Sequence, residues 1–528
     1  MTTARRASDR SAWMWLVCLL ALVGSGSFHR FVSAAPRESN RATGSRRQAG
    51  DLLQSYREQH DRLLAKYGET LEALALNCES KNLLEAAVFI RKQANSSPGD
   101  SGVIESLPKK IQAEIPAGVS PDERNWRMQL RHAQLQYAQE LYLLSRRALG
   151  AGYPSYAYQL VREVAHHDSD HAMVRRLLGY VRYDDQWVTP FAARMMRDRY
   201  VWHDKYGWLL KAHVERYENG ERFFQGRWIS AEKETALRQD FKDAWEIRTD
   251  NYLVKTNHSL ERGVEIAREL EEFHDFFIQT FAGFFYSPQQ LEKLFRGGGD
   301  ATPTRGRQRP YLVHYYRTRD EYADRLRSKI PMIDITNGLY YTTDRIAYFY
   351  HDPEKDNNAT LYHEATHQLF YEIEARDRAI TDQSNFWIVE GIACYMESFK
   401  KDGQRCSLGD PRYERFAAAR YRYLVDGYYV PLGRFAAMGL REFQSDTENI
   451  SKNYSQASGL SHFFMHYDGG RYRDALIAHL AEIYQPQRGR RDSVSSLAEL
   501  LNVDFDELDR QYGEYLKEME TGLAANSR

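Results

Sequence analysis

One short stretch constrains this chain more than any other. Within Leu361-Tyr362-His363-Glu364-Ala365-Thr366-His367-Gln368-Leu369-Phe370, two histidines stand four residues apart with a glutamate directly after the first. Neither Gly nor Pro interrupts the sequence from Ala359 to Ala375, so the segment is expected to be one helix, capped by Asn357 or Asn358. On a helix, residues four apart share a face. His363 and His367 can therefore reach one ion, and Glu364, one step round, can reach a water on that ion. The alternative is two surface histidines on an ordinary helix.

A second segment follows, with 22 residues separating His367 from Glu390: Phe386-Trp387-Ile388-Val389-Glu390-Gly391-Ile392-Ala393-Cys394-Tyr395-Met396-Glu397. Together the two segments resemble the gluzincin metallopeptidases, and most of all the zinc aminopeptidase group and related exported peptidase MA-like proteins. The resemblance covers roughly residues 310–475. It implies an α+β gluzincin-like catalytic domain, a small sheet plus metal-binding helices, with zinc (Zn2+) held by His363, His367 and Glu390. It makes Glu364 the general base. It gives Glu397 a supporting role, and it places the strand Ile346 to Tyr350 at the edge of the cleft, where substrate backbone would pair. In the similar segment Asn453-Tyr454-Ser455-Gln456-Ala457-Ser458-Gly459-Leu460-Ser461-His462-Phe463-Phe464, Tyr454 takes the place of an oxyanion donor. His462 and His466, on the same expected helix, are the alternatives. The Gly-Ala-Met-Glu-Asn segment with which the aminopeptidases grip a substrate amine does not occur here, so endopeptidase and exopeptidase specificities both stay open.

The donor set makes chemical sense on its own. Two histidines and one carboxylate leave a tetrahedral zinc one position for water, the arrangement of catalytic sites, whereas structural zinc usually takes four protein ligands.

The rest of the chain bounds the reading. At 528 residues it is long enough for two to four domains. Its 72 basic and 73 acidic residues give a net charge of −1, which offers no electrostatic case for nucleic acid or an anionic membrane as partner. Arg5, Arg6 and Arg10, the apolar run Trp13 to Val23 and the small residues ending at Ala35 read as an export signal, residues 1–35. An uncleaved anchor is the alternative, and a polar linker, 36–48, follows. Export implies a periplasmic, cell-surface or secreted protein. Three cysteines outside the signal, Cys78, Cys394 and Cys406, form no disulfide framework. A Cys394–Cys406 bridge and free buried thiols are both open.

Residues 49–244 are expected to be an all-α region. Apolar residues recur at three- and four-residue steps over 50–95 and 123–147, and 155–182 resembles a helical hairpin of the tetratricopeptide type. Trp187-Val188-Thr189-Pro190 is echoed by Trp228-Ile229-Ser230-Ala231, which suggests two helical modules, each with a capping Thr or Ser. In His166-His167-Asp168-Ser169-Asp170-His171, Ser169 or Asp170 is the expected cap of the next helix and the histidines are expected to be solvated. From Trp245 onward β-friendly segments appear, and residues 245–520 are read as the catalytic domain. The whole is then an exported zinc-dependent peptidase acting on a peptide or protein, with N-terminal helices available to a protein partner. The rival is a non-catalytic helical-repeat adaptor that retains a zinc site.

Overall fold

The computed structural model describes residues 47–526, except 95–103, 106, 108, 113, 299–308, 355–357, 373–380, 382, 403–404, 446 and 485–493. The expected signal segment 1–35, most of the expected linker 36–48, the Gly/Arg/Pro-rich stretch near 300 and the candidate cap Asn357 lie outside the described residues. The fold is mixed α/β with small sheets and a helical N-terminal region.

Four helices open the chain: α1 (Arg47–Ser80), α2 (Leu84–Ala94), α3 (Pro121–Gly150) and α4 (Pro154–His167). Their apolar stripes meet. Leu71, Ile90, Leu141, Leu160 and Val164 are all fully buried. Between α1 and α2 the backbone turns at Asn82, whose φ of 62° suits Asn better than a β-branched residue. A short helix, Ala172–Leu177, completes the region. Its cap is His171, whose Nδ1 accepts from the Val174 N–H, because Asp170 is engaged elsewhere: its carboxylate accepts from the Trp187 indole and the Gln112 N–H. His167 is buried rather than solvated.

Beyond Leu177 the expected helical modules take a different form. Three antiparallel hairpins succeed one another, Val181–Tyr183 with Gln186–Val188, Tyr200–His203 with Gly207–Leu210, and Glu221–Phe224 with Arg227–Ser230. Each is followed by a short helix. The caps were legible: the Thr189 and Ser230 side chains accept from the N–H groups of Ala192 and Lys233. What preceded them was not, because Trp187 and Trp228 lie on β-strands. A strand of three or four residues is too short for a period of two to register.

The five-stranded sheet positions the site. Its strands are β1 (Trp245–Arg248), β2 (Tyr252–Thr256), β3 (Tyr311–Tyr316), β4 (Leu339–Tyr341) and β5 (Ile346–Tyr350), in the order β4-β5-β3-β2-β1. The strand β3 runs parallel to both β2 and β5, while β4 and β1 are antiparallel edges. Aromatic and β-branched residues dominate, as strands buried on both faces require. The strand Ile346 to Tyr350 is therefore interior, paired on both sides, and the edge strand next to it is β4.

One buried cluster on one face of the sheet joins the N-terminal helices to α5 (Leu260–Thr280), α6 (Asn358–Tyr371) and α7 (Phe386–Met396). A smaller cluster, with Tyr322, Ile333 and Tyr350, fills the other face. Helices α8 (Ile450–Gly470), α9 (Arg473–Tyr484) and α10 (Phe505–Asn526) close the C-terminal part.

The junction between the N-terminal helices and α9 carries a shared cap. Helix α4 has no side-chain cap from its own N-terminal residue. Instead Asp474 on α9 accepts from the Ser155 N–H at 3.1 Å and the Ser155 hydroxyl at 2.9 Å. Burial raises the Asp474 carboxyl to about 6, against the pull of the Ser155 bonds. A carboxyl raised in the folded state contributes stability that is full below its unfolded pKa near 4 and lost as pH rises towards 6. The stability of the wild type relative to Asp474→Asn is therefore expected to fall from pH 4 to pH 6 and to level off above it, as chemical denaturation at each pH would report.

Candidate metal centre

The helix α6 forms as the sequence dictates, and it buries every residue from Leu361 to Phe370. It presents His363 and His367 to α7, which presents Glu390. The crossing partner behind α7 is α8, and the approach there depends on Gly391. A Cβ at that position would lie 2.5 Å from both the Ala457 carbonyl oxygen and the Ser461 hydroxyl, so the residue after Glu390 has to be glycine for α7 to sit where it does.

Three candidate ligands meet in one buried spot. The Nε2 atoms of His363 and His367 are 3.1 Å apart, and one Glu390 oxygen, Oε2, lies 3.6 Å from the first and 3.8 Å from the second. Glu390 has no solvent exposure, and neither of its oxygens has a hydrogen-bond partner among the described residues. A buried carboxylate without hydrogen bonds is costly. Two ring nitrogens facing it at this distance are the complement of that cost, because a shared cation satisfies all three groups at once. The residues present therefore fit a metal ion with an N2O donor set.

His363 is oriented from behind. Its Nδ1 lies 2.7 Å from Glu397 Oε1. A carboxylate can only accept, so Nδ1 carries the proton and Nε2 offers its lone pair to the site. Glu397 is itself gripped by Arg415, whose Nε and Nη2 donate at 2.6 Å each, and by the Tyr413 hydroxyl at 3.0 Å. Burial alone would raise the Glu397 carboxyl. The Arg415 charge and His363 override it and hold the group at about 2. A second set, His363, Cys394 and Glu397, also falls within reach of one ion. It is the poorer cradle, because Glu397 is already committed to Arg415 and burial keeps the Cys394 thiol protonated by raising its pKa. Cys394 and Cys406 are both free, so the open question of a bridge resolves as thiols.

Glu364 is 3 % exposed, and its Oε2 accepts the Tyr340 N–H at 2.7 Å. That N–H belongs to the edge strand β4. The sheet edge thus holds the carboxylate beside the candidate ligands, a contact between residues 24 apart that no local sequence pattern announces.

Tyr454 lies on α8, half-buried, with its ring edge-on to Phe443 at 5.3 Å. Phe443 packs in turn on Phe386 at the start of α7. The two alternatives to Tyr454 have other work. His462 is buried, with Nε2–H donating to the Gly409 carbonyl at 3.0 Å and Nδ1 accepting from the Tyr515 hydroxyl at 2.7 Å. Burial drives its pKa down to about 4. His466 is bonded to the Tyr395 hydroxyl at 2.8 Å, and burial lowers its pKa as well. Both are packing histidines that tie α8 to its neighbours.

The Glu397 contact has a measurable consequence. Glu397→Gln removes the charge that fixes the His363 ring and is expected to weaken metal binding about 10- to 100-fold, the usual effect of losing such a partner. Competition against a chromophoric chelator would measure it.

The family described as "Protein of unknown function (DUF1570)" matches residues 357–486, a span that contains all three candidate ligands, Glu364 and Tyr454. No curated protein matches the chain, and no solved structure matches it.

Proposed function

We propose that this protein is a zinc-dependent peptidase of gluzincin type, exported through its N-terminal 35 residues. The observation that carries the reading is the meeting of His363, His367 and Glu390, whose carboxylate has no hydrogen bond among the described residues, in one buried cluster, with Glu364 next to His363 in the chain. When bound, zinc supplies a Lewis acid and brings the pKa of its water to about 7. The chain's own residues do the rest. Glu364 takes the proton of the attacking water and returns it to the leaving amine. Its position is set by the Tyr340 N–H, which also stabilises its charged form. Tyr454 supplies a hydroxyl to the developing oxyanion.

The adaptor reading has no need of Glu364. A metal kept for structure alone does not require a carboxylate tied to a sheet edge in the residue next to its first ligand.

The test combines metal analysis with a peptide-library digest of the purified protein. About one zinc per chain, cleavage abolished by a chelator and restored by zinc, would support the proposal. A chain that binds no metal, or that cleaves equally well after metal removal, would overturn it.

Tyr454→Phe isolates the hydroxyl. Turnover is expected to fall about 10²-fold with the Michaelis constant unchanged, because the lost bond is made mainly in the transition state. A variant that keeps its turnover and loses about 1 kcal/mol of stability instead would make Tyr454 a packing residue.

A further inference from the structure

The two Trp-bearing segments that echo each other in the sequence fold alike, but their outer edges differ. In the first hairpin Tyr183 pairs with Gln186 and Arg182 with Trp187. In the third, Phe224 pairs with Arg227 and Phe223 with Trp228. Each closes through a two-residue turn whose first member has a positive φ, 49° at Asp184 and 47° at Gln225. Each second strand runs into a short helix capped by the Thr or Ser that follows it. Residue for residue, Asp185, Gln186 and Trp187 correspond to Gly226, Arg227 and Trp228.

In the first hairpin another piece of the chain lies along the outer edge. Lys110 bridges antiparallel to Gln186. The Trp187 N–H donates to the Lys109 carbonyl at 2.7 Å, and the Ile111 N–H donates to the Asp185 carbonyl at 3.0 Å. These groups point outward because hydrogen-bonded and non-hydrogen-bonded pairs alternate along an antiparallel ladder. The third hairpin has the same alternation, continued by the Ala231 N–H bonded to the Gly220 carbonyl at 2.9 Å. Its outward groups are therefore the Trp228 N–H and the Gly226 carbonyl. Among the described residues neither has a hydrogen bond. Gln225, Gly226 and Arg227 are exposed, and Trp228 is half-buried where Trp187 is buried. The second hairpin is no equivalent. Its turn has three residues, and a Cβ at Gly207 would lie 3.4 Å from Val264 on α5.

Charge decides what fits each edge. The turn of the first hairpin is Asp184-Asp185, and the segment beside it carries Lys109 and Lys110. The third hairpin reads Gln225-Gly226-Arg227-Trp228-Ile229-Ser230, with Arg227 its one charged residue. Among the described residues the Arg227 guanidinium has no ion pair. The neighbouring charges are matched. Arg216, over the Trp228 ring at 3.9 Å, is held by both oxygens of Glu221 at 2.6 and 2.7 Å. On the helix that follows, Glu234 pairs with Arg238 at 3.3 Å, and Glu232 stands next to Lys233.

We propose that the outer edge of the third hairpin docks an extended, acidic segment of a partner protein, which adds to it as residues 109–111 add to the first hairpin. The Trp228 N–H and the Gly226 carbonyl supply the main-chain bonds. The partner residue opposite Arg227, in the place that Lys110 takes opposite Gln186, is Asp or Glu, and this cross-strand pair gives selectivity. The site does not rest on the peptidase reading. Its dependence on Arg227, which takes no part in the metal centre, separates it from substrate binding there.

The experiment is fluorescence anisotropy of labelled heptapeptides titrated with the full-length protein. One peptide has the sequence of residues 107–113, and a second has Lys109→Glu and Lys110→Glu. The acidic peptide is expected to bind saturably, one per chain, and about 10-fold more tightly than the basic one, since attraction at Arg227 replaces repulsion. Arg227→Glu is expected to reverse that order and Arg227→Gln to erase it, with circular dichroism unchanged in both. A version of the acidic peptide N-methylated at its Ile111 position lacks the donor for the Gly226 carbonyl and is expected not to saturate. The proposal falls if the acidic peptide does not bind, if the Arg227 variants keep the wild-type preference, or if the N-methylated peptide binds equally well. It also falls if sedimentation shows a dimer that Arg227→Glu splits into monomers, which would give the edge to a second copy of this chain.

Discussion

Replacing Glu364 by Gln is expected to cut peptide hydrolysis by about 10² to 10⁴-fold while leaving metal content and fold intact. The side chain is nearly isosteric, and its amide oxygen can still accept the Tyr340 N–H that Glu364 accepts now. What disappears is the capacity to take a proton. Among the described residues it belongs to none of the clusters able to hold an ion, so the metal has no reason to leave. Measuring hydrolysis and zinc on the same preparation separates the two roles. Wild-type turnover in a zinc-loaded variant would remove Glu364 from the mechanism. Loss of zinc together with activity would make it a ligand.

Glu390→Gln is expected to act in the opposite way and to show a sign reversal. Metal affinity should collapse, because one of three protein ligands is gone and the amide that replaces it is neutral. The metal-free variant should nevertheless be more stable than the metal-free wild type, by about 1–3 kcal/mol. The reason lies in the site itself: Glu390 is fully buried and, among the described residues, neither oxygen has a hydrogen bond, so without an ion only the His363 and His367 rings, 3.6 and 3.8 Å away, offset the burial of its carboxylate. Thermal unfolding of both proteins, with zinc and after exhaustive chelation, would show the order invert. A metal-free variant less stable than the metal-free wild type would mean that Glu390 has a structural partner.

The sequence made the ligand cluster legible because its spacing is local. His363 and His367 need only a helix to come together, and the β-friendly segment that begins at Trp245 does form strands, the hairpin β1–β2. The misplaced features share a cause, which is dependence on distant partners. Strand order is one. Ile346 to Tyr350 reads correctly as a strand, but whether a strand is interior or at an edge depends on β3, some thirty residues earlier. The histidines of α8 are another. His462 stands where an oxyanion donor could be, and only the fold shows that Gly409 and Tyr515 occupy both its nitrogens. Asp170 is a third: it reads as a local cap and instead serves the Trp187 indole.

The edge strand beside Glu364 sets a limit on how far the molecule can be trimmed. The family match spans 357–486, and by itself that stretch supplies the candidate ligands, Glu364 and the helices behind them. It supplies none of the five strands, which all lie between Trp245 and Tyr350. A fragment cut to the matched span would carry a base with no backbone donor to hold it and a helix α6 stripped of the sheet it covers. The smallest piece that keeps the whole sheet begins at Trp245, and the shared cap between Asp474 and Ser155 ties even that piece to helix α4 upstream.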